Sequence, residues 1–242
     1  FLDDNPFERN MVRENLPEVC VPELPEDPAE YLEFLYAENL FETASYSEED
    51  SLRTQQYRTE AKRTAERLQF TNEAEYLESL RMVSKVESLT PFNIPRVVQL
   101  SQRSNQFNLR TIRYTADEAE RMAHDQNLHC LTFTLQDKFG DNGLVCVAVM
   151  REQDKHTLFI ESWFMSCRVL QRGMENFVLN RMAEQAQQSG YDRIEGEYIP
   201  TAKNGMVKDL YAQLGFAATD RENHFVLDIR RYTPQECFIS KQ

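Results

Sequence analysis

The apolar residues between Met82 and Ile229 alternate between two periods, and this pattern constrains the fold more than any other feature. Stretches with every second residue apolar predict strands, and longer stretches with apolar residues three or four apart predict helices. The predicted strands are Met82–Glu87, Cys130–Leu135, Leu144–Met150, Leu158–Cys167, Arg193–Tyr198 and Phe225–Ile229. The predicted helices are Asn93–Ser104, Thr115–Gln126, Gly173–Ser189 and Asn204–Leu214. This order of elements predicts one α/β (α+β) unit.

Glycine and charge are both unevenly distributed. All seven glycines lie between Gly140 and Gly215, where tight turns and helix ends require them, and Phe139–Gly143 predicts a hairpin turn. Residues 1–80 contain 20 acidic and 7 basic side chains, whereas residues 81–242 contain 20 of each. We interpret residues 21–80 as an acidic helical connector and residues 81–242 as the α/β domain. Within the connector, helices are predicted to begin at Asp27–Pro28, at the capping box Ser47–Asp50 and at Thr71–Asn72.

The composition excludes several function classes. No apolar run approaches the ~18–20 residues that a membrane helix requires, and no basic cluster suits a nucleic acid backbone. The five cysteines are odd in number and never spaced as C-x-x-C, which disfavours a disulfide framework or a structural zinc. We therefore expect a cytoplasmic protein whose partners are neither nucleic acids nor membranes.

The start of the chain carries a motif of its own. Phe1-Leu2-Asp3-Asp4-Asn5-Pro6 indicates the end of a buried strand followed by a loop, with a helix-capping aspartate at a processed terminus as the alternative. Two adjacent carboxylates at a strand end suit Mg²⁺. The string from Phe1 to Arg9 resembles the fourth motif of the haloacid-dehalogenase (HAD) phosphatases, in the form of the FkbH-like branch (subfamily IIIC).

This resemblance implies that residues 1–20 are the C-terminal remnant of a HAD phosphatase domain in a longer protein. It assigns Asp3 and Asp4 to an incomplete Mg²⁺ site. The Asp-x-Asp nucleophile of the family would lie before Phe1. Phosphatase activity is therefore not expected of this chain.

The predicted last helix resembles the signature of the GNAT acyltransferases. Asn204, Val207, Leu210, Tyr211 and Gly215-Phe216 occupy its characteristic positions. The resemblance implies a GNAT-like mixed sheet flanked by helices, in which Tyr211 protonates a leaving thiolate of coenzyme A. The alternative for Tyr211 is a core aromatic residue.

A weaker GNAT resemblance covers Leu170–Glu175, where that family binds pyrophosphate at the start of the long helix. Gly173 matches the family pattern, and Arg168 and Arg172 are candidates to contact a phosphate. Leu170 and Glu175 depart from the pattern, and a carboxylate in the first turn competes with a phosphate. We therefore do not expect tight coenzyme A binding in the usual mode.

Four further runs are similar to FkbH-like proteins: Ser104–Asn108, Asp137–Gly143, Trp163–Glu175 and Pro200–Asn204. Such proteins join a HAD domain to a GNAT-like domain. The resemblance implies transfer of a glyceryl or acyl group from a phosphorylated three-carbon donor to the phosphopantetheine thiol of an acyl carrier protein. In the best-known members this reaction supplies methoxymalonyl extender units for polyketide synthesis.

The residues suggest how such a transfer could proceed. Cys167 lies at the C-terminal end of a predicted central strand, and cations and a helix N-terminus nearby favour the reactive thiolate, which could hold the group as a thioester. A small core residue is the alternative. Candidate cofactor-binding residues are Arg168, Arg172, Gly173, Lys203 and Asn204, and candidate substrate-binding residues are Asn105, Asn108, Asp137 and Asp141. Turn formation or a helix start would explain several of these equally well.

Three functions remain open. The first is a transfer domain of an FkbH-like bifunctional enzyme, with an acyl carrier protein as its partner. The second is a conventional GNAT N-acyltransferase that uses acetyl-CoA. The third is a non-catalytic domain that docks the carrier protein.

Overall fold

The computed structural model describes residues 1–17, 19–40 and 59–242. The chain forms two compact units, Phe1–Tyr57 and Arg58–Gln242. The predicted boundary between connector and α/β domain at residue 80 stays a prediction. The predicted capping box Ser47–Asp50 lies outside the described residues, as does the first part of the helix expected to follow it.

The first unit contains helix α1 (Pro6–Asn15), a 3₁₀ turn (Pro28–Glu30) and helix α2 (Tyr31–Ala37). The helix start predicted at Asp27 is confirmed, because its carboxylate accepts a hydrogen bond from the Ala29 N–H and Pro28 follows as the first residue of the turn. Arg9 organises the start of the chain. Its Nη2 lies 2.7 Å from the Glu23 carboxylate.

The strand end predicted at Phe1-Leu2 is wrong. Residues 1–4 form no strand, and the side chains of Phe1 and Leu2 are 47% and 40% exposed. Asn5 accepts a hydrogen bond from the Phe7 N–H and Pro6 occupies the first helical position, so the motif begins helix α1.

The second unit is built on a mixed sheet. Its described helices are α3 (residues 59–67), α4 (Glu73–Ser79), α5 (Ile94–Arg103), α6 (Ala116–His124), α7 (Met174–Gln188) and α8 (Leu210–Gln213). The described strands are β1 (Met82–Ser84), β2 (Val86–Glu87), β3 (Leu128–Asp137), β4 (Gly140–Asp154), β5 (Thr157–Met165), β6 (Arg193–Glu197), β7 (Ala217–Ala218), β8 (His224–Asp228) and β9 (Ile239–Lys241). They are ordered β7-β8-β6-β5-β4-β3-β1-β9, with β2 paired to β3.

Both faces of the sheet are covered. Alternate residues of β4 enter two separate cores: Val147 and Val149 pack with α5 and α6, whereas Ala148 and Met150 pack with α7. Among the strands that the structure describes, only β1 with β9 and β5 with β6 pair in parallel. The predicted fold class, a mixed α/β sheet flanked by helices, is confirmed. Within the described part of the chain, no helix is both long and apolar enough to cross a membrane.

Two predicted elements are displaced by side-chain hydrogen bonds. The strand Met82–Glu87 is broken at Lys85, whose N–H donates to the Thr134 hydroxyl opposite a register shift in β3. The hairpin turn is Lys138-Phe139 rather than Phe139–Gly143, because the Asp137 carboxylate accepts hydrogen bonds from the Phe139 and Gly140 N–H groups.

The predicted helix Asn204–Leu214 is interrupted. It consists of a 3₁₀ turn, Gly205–Val207, followed by the short helix α8. Asp209 lies between the two at φ −102° and ψ 8°, outside the α-helical region. The short strands β7 and β9 are additions that the periodicity did not predict.

A close contact between β6 and α8 explains the glycine at position 196. A Cβ atom there would lie 2.4 Å from the Tyr211 hydroxyl oxygen, whereas a Cβ at Gly205 would have no atom within 4 Å. We expect Gly196→Ala to lower the free energy of unfolding by about 1–3 kcal/mol through overpacking. Gly205→Ala, the matched control, should change it by less than about 0.5 kcal/mol. Urea denaturation measures both, and equal stability of the two variants would contradict this packing.

Candidate functional site

An open cleft of about 630 Å³ lies beyond the carboxyl end of β5. Its walls are one side of α5 with residues 104–107, the end of β5 and the chain after it at residues 165–168, and residues 202–203. Four predicted site residues meet there: Asn105, Cys167, Arg168 and Lys203. They come from three separate parts of the sequence, which only the fold brings together.

The cleft is strongly basic. Arg96, Arg103, Arg168 and Lys203 line it, and none of the described residues that line it is an aspartate or a glutamate. Arg96 Nε donates to the Leu144 carbonyl oxygen at 3.4 Å, which holds this guanidinium along the wall. Arginine and lysine are the side chains with which proteins usually bind phosphate and carboxylate groups.

Cys167 is the accessible thiol of the cleft. It begins the 3₁₀ turn Cys167–Val169 and is exposed, whereas Cys130 and Cys146 are buried. Burial raises the pKa of Cys130 to about 12 and also raises the pKa of Cys146. Because the thiolate is the reactive form, these two buried residues are inert at neutral pH, and Cys167 is free to meet a ligand in the cleft.

Arg172 and Asp137 do not face the cleft. The Asp137 side chain is fully buried, and its carboxylate accepts from Arg63 Nε at 2.8 Å, Arg63 Nη2 at 3.0 Å and Arg172 Nη1 at 3.2 Å. Arg172 Nη2 also lies 3.0 Å from the Glu60 carboxylate. Burial and the neighbouring Arg63 charge lower the pKa of Arg172. These side chains therefore form an ion cluster (Glu60, Arg63, Asp137, Arg172) that joins α3 to the β3–β4 hairpin, with Glu60 on its exposed side and the other three members buried.

Removing the centre of this cluster should be costly. Asp137→Ala leaves two buried guanidinium groups without their shared carboxylate, so we expect a loss of about 3–5 kcal/mol in the free energy of unfolding. Asp141→Ala is the control in the same hairpin, because Asp141 is exposed and only accepts from the Gly143 N–H. It should lose about 1 kcal/mol or less. Chemical denaturation compares them, and similar losses would show that the cluster contributes little.

The start of α7 does not fit a pyrophosphate. Gly173 is its N-cap, at φ 72° and ψ 17°, but Arg172 beside it is committed to the ion cluster. Glu175 occupies the first turn, and burial raises the pKa of its carboxyl. At this helix start a coenzyme A pyrophosphate would find no available Arg172 and would lie beside the Glu175 carboxyl group. Of the predicted cofactor-binding residues, Arg168 and Lys203 line the cleft.

The Glu175 carboxyl gives a pH signature. Since its pKa in the folded protein is raised above 4.5, its contribution to stability is present below pH 4.5 and is lost as the pH rises through the folded pKa. Glu175→Gln cannot ionise, so its melting temperature relative to wild type should rise between pH 4 and pH 8. Exposed Glu120→Gln is the control and should show no such trend. A pH-independent difference for Glu175→Gln would contradict this interpretation.

Asn108 and Asn204 are buried and act within the protein. Asn204 Nδ2 donates to the carbonyl oxygens of Asn108 and Ile199, both at 2.9 Å. Asn108 Oδ1 accepts from the Thr111 N–H at 2.8 Å. Asn105 lines the cleft, and its amide oxygen accepts from Arg113 Nη2 at 2.7 Å. Of these three asparagines, only Asn105 is placed to meet a ligand.

Tyr211 is fully buried in the core below α8. Its ring stacks on Phe225 at 5.1 Å and meets Phe216 edge-on at 5.0 Å. Burial raises the pKa of Tyr211, and its hydroxyl lies against Gly196 rather than among the residues that line the cleft. The role of a general acid stays a prediction from the family resemblance, while the packing matches a core aromatic residue.

Asp3 and Asp4 lie before α1 in the first unit. Their backbone carbonyl oxygens accept from Arg9 Nη1 at 2.8 and 3.0 Å, and the Asp3 carboxylate accepts from the Asn5 N–H. No group of three or more histidine, cysteine, aspartate or glutamate side chains is positioned to hold a metal ion in the described ranges. Their role in binding Mg²⁺ stays a prediction.

Sequence reasoning missed two of the four cleft cations. Arg96 and Arg103 lie seven residues apart on α5, with Leu100 between them, and all three line the cleft. Residues at this spacing lie on one face of a helix, so the sequence already placed Arg96 and Arg103 on the same side of α5. That this side faces a cleft follows only from the folded structure.

Comparisons with known proteins identify no family for this chain. No family model matches the chain, and no curated protein matches it. Solved structures do resemble it. The ribosomal-protein-S18-alanine N-acetyltransferase from Escherichia coli is 16% identical, with a TM-score of 0.46, over 61% of this chain and 94% of that one.

Two further solved structures show the same level of likeness. Spermidine N-acetyltransferase from Vibrio cholerae, in complex with CoA and spermine, is 12% identical with a TM-score of 0.47, over 61% of this chain and 96% of its own. An N-acetyltransferase from Staphylococcus aureus Mu50 is 16% identical with a TM-score of 0.45, over 62% and 99%. At these values the likeness carries no conclusion about activity, so function has to be inferred from this chain's own residues.

Proposed function

We propose that the unit Arg58–Gln242 is a transfer domain that carries an acyl or glyceryl group on Cys167. The observation that supports this proposal is the exposed thiol of Cys167 in a cleft lined by four cationic side chains. A nucleophile and an anion-binding surface in one cleft are what transfer from a phosphate-bearing donor requires.

The chemistry follows in two balanced steps. The Cys167 thiolate attacks the carbonyl carbon of the activated donor, and the bond to the leaving group breaks with its electron pair, which gives a thioester on Cys167. The acceptor thiolate then attacks the same carbon, a new thioester forms, and the Cys167 thiolate is released. Arg168 and Lys203 hold the phosphate of the donor or acceptor during both steps.

The acceptor we propose is the phosphopantetheine thiol of an acyl carrier protein. Its phosphate matches the charge of the cleft, and the FkbH-like sequence runs support the same acceptor. By that resemblance the donor is a phosphorylated three-carbon compound and a HAD phosphatase domain belongs to the same longer enzyme. The hypothesis of a conventional GNAT acyltransferase that uses acetyl-CoA has less support. At the start of α7, Arg172 is bonded to Asp137 and Glu175 occupies the first turn, so among the residues described there no cation is available for a pyrophosphate.

Acylation of Cys167 is the direct test. The protein is incubated with the acetyl thioester of 4′-phosphopantetheine and, separately, with acetyl-CoA, and adducts are located by peptide mass spectrometry. We expect an acetyl group on Cys167 and none on Cys20, the other exposed cysteine. Cys167→Ser should abolish the adduct, whereas the control Cys20→Ser should keep it.

The charge requirement is tested in the same assay. Lys203→Gln should raise the concentration of phosphopantetheine thioester for half-maximal acylation roughly 3- to 10-fold. Lys155→Gln is the control, because Lys155 is exposed in the turn between β4 and β5, away from the cleft. Carrier protein that binds without acylating Cys167 would favour the docking function, and acylation without any effect of Lys203→Gln would contradict the assigned phosphate contact.

A further inference from the structure

Strands β5 and β6 diverge at their carboxyl ends. They pair in parallel from Thr157 with Arg193 to Ile160 with Gly196, and the pairing then stops although β5 continues to Met165. In open α/β sheets the crevice beyond the carboxyl ends of parallel strands is the usual place for a ligand. A ligand would therefore be expected in the gap between these strands.

In this protein the chain fills that gap itself with residues Phe107–Arg110, hereafter the insert. On the β5 side, Asn108 pairs antiparallel with Phe164, Leu109 N–H donates to the Trp163 carbonyl oxygen at 3.2 Å, and Met165 N–H donates to the Phe107 carbonyl oxygen at 3.1 Å. On the other side, Ile199 N–H donates to the Leu109 carbonyl oxygen at 2.9 Å. The insert is thus bonded on both edges like a short strand.

Side-chain packing and the hydrogen bonds of Arg110 also hold the insert in place. Phe107, Asn108 and Leu109 are buried, and the Phe107 ring meets Trp163 edge-on at 5.8 Å. At the point where the strands part, Arg110 donates to the Glu161 carbonyl oxygen and to the Glu197 carboxylate, both at 2.9 Å. Residues Phe107–Arg110 therefore fill the gap between β5 and β6.

One side chain ties the insert to the far wall of the cleft. Asn204 donates to the Asn108 carbonyl oxygen of the insert, and its Oδ1 accepts from the Thr201 N–H at 2.7 Å and from the Tyr198 hydroxyl at 3.2 Å. Asn105 to Phe107 form one wall of the cleft and Lys203 lies on another. The buried Asn204 amide therefore connects the segments that carry these two walls, together with the backbone bond from Ile199 to Leu109.

We infer that the insert is a permanent strand of the sheet and that Asn204 is a positioning residue that sets the width of the basic cleft. An anionic ligand then reaches Cys167 through the open side of the cleft, without adding to the edge of β5. The identity of that ligand rests on the proposed function. The placement of the insert and the role of Asn204 do not.

Amide hydrogen exchange tests the insert. The Leu109, Met165 and Ile199 amides should exchange as slowly in wild type as amides in the centre of β4, and 1 mM acetyl-CoA should not speed them up. Asn204→Ala should accelerate exchange at Leu109 and Ile199 about tenfold or more. Asn180→Ala is the matched control, because Asn180 is also buried and bonds the Gln235 backbone away from the cleft. It should leave these amides within about twofold.

The width of the cleft has its own readout, the ratio of the iodoacetate and iodoacetamide alkylation rates at Cys167. Asn204→Ala should lower this ratio roughly threefold, because Lys203 moves away from the thiol, and Asn180→Ala should not change it. If Asn204→Ala does not fold, Thr201→Ala replaces it. Thr201 is exposed, and its hydroxyl accepts from the Lys203 and Asn204 N–H groups.

Three results would overturn the inference. They are fast exchange at Leu109 in the wild-type protein, loss of its protection when acetyl-CoA is added, and equal exchange and alkylation behaviour of the Asn204 and Asn180 variants. Failure of the proposed transfer function looks different. In that case Cys167 remains unacylated while the amides of the insert stay protected.

Discussion

Buried backbone N–H and C=O groups need hydrogen-bond partners. In the second unit this requirement is most acute where β5 and β6 separate. Beyond Ile160 and Gly196 neither strand satisfies the other, and an unpaired buried N–H or C=O group costs about 1–3 kcal/mol. Phe107–Leu109 supplies the missing partners and buries two large apolar side chains. The same segment continues into the cleft wall at Asn105 and Gln106. The position of the cleft is thus a consequence of how the sheet completes its hydrogen bonds.

Arg168 and Arg172 show how burial decides what a charge can do. They lie four residues apart, and Arg172 Nη2 donates to the Arg168 carbonyl oxygen. Arg172 is buried against Asp137 and Glu60, so its charge stabilises the fold. Arg168 is exposed and lines the cleft. Sequence alone made the two residues equivalent candidates for a phosphate.

The fold was largely predictable from sequence, because apolar periodicity depends on burial along each element separately. The site was less predictable. Asn108, Asp137 and Asn204 were conspicuous polar residues, yet each serves a local backbone or ion-pair arrangement. Arg96 and Arg103 carried no motif and nevertheless line the cleft. Which polar side chain faces a ligand depends on contacts between distant parts of the chain, which a linear pattern does not contain.

The ion cluster also bears on where the second unit can be cut. Glu60 and Arg63 belong to α3, yet their partners Asp137 and Arg172 lie in the sheet hairpin and before α7. A recombinant fragment that starts at residue 81 would contain all nine strands of the described sheet and still expose Asp137 and Arg172 to solvent on the side that α3 covers. The last helices of the acidic stretch, α3 and α4, therefore lie in the same compact unit as the sheet.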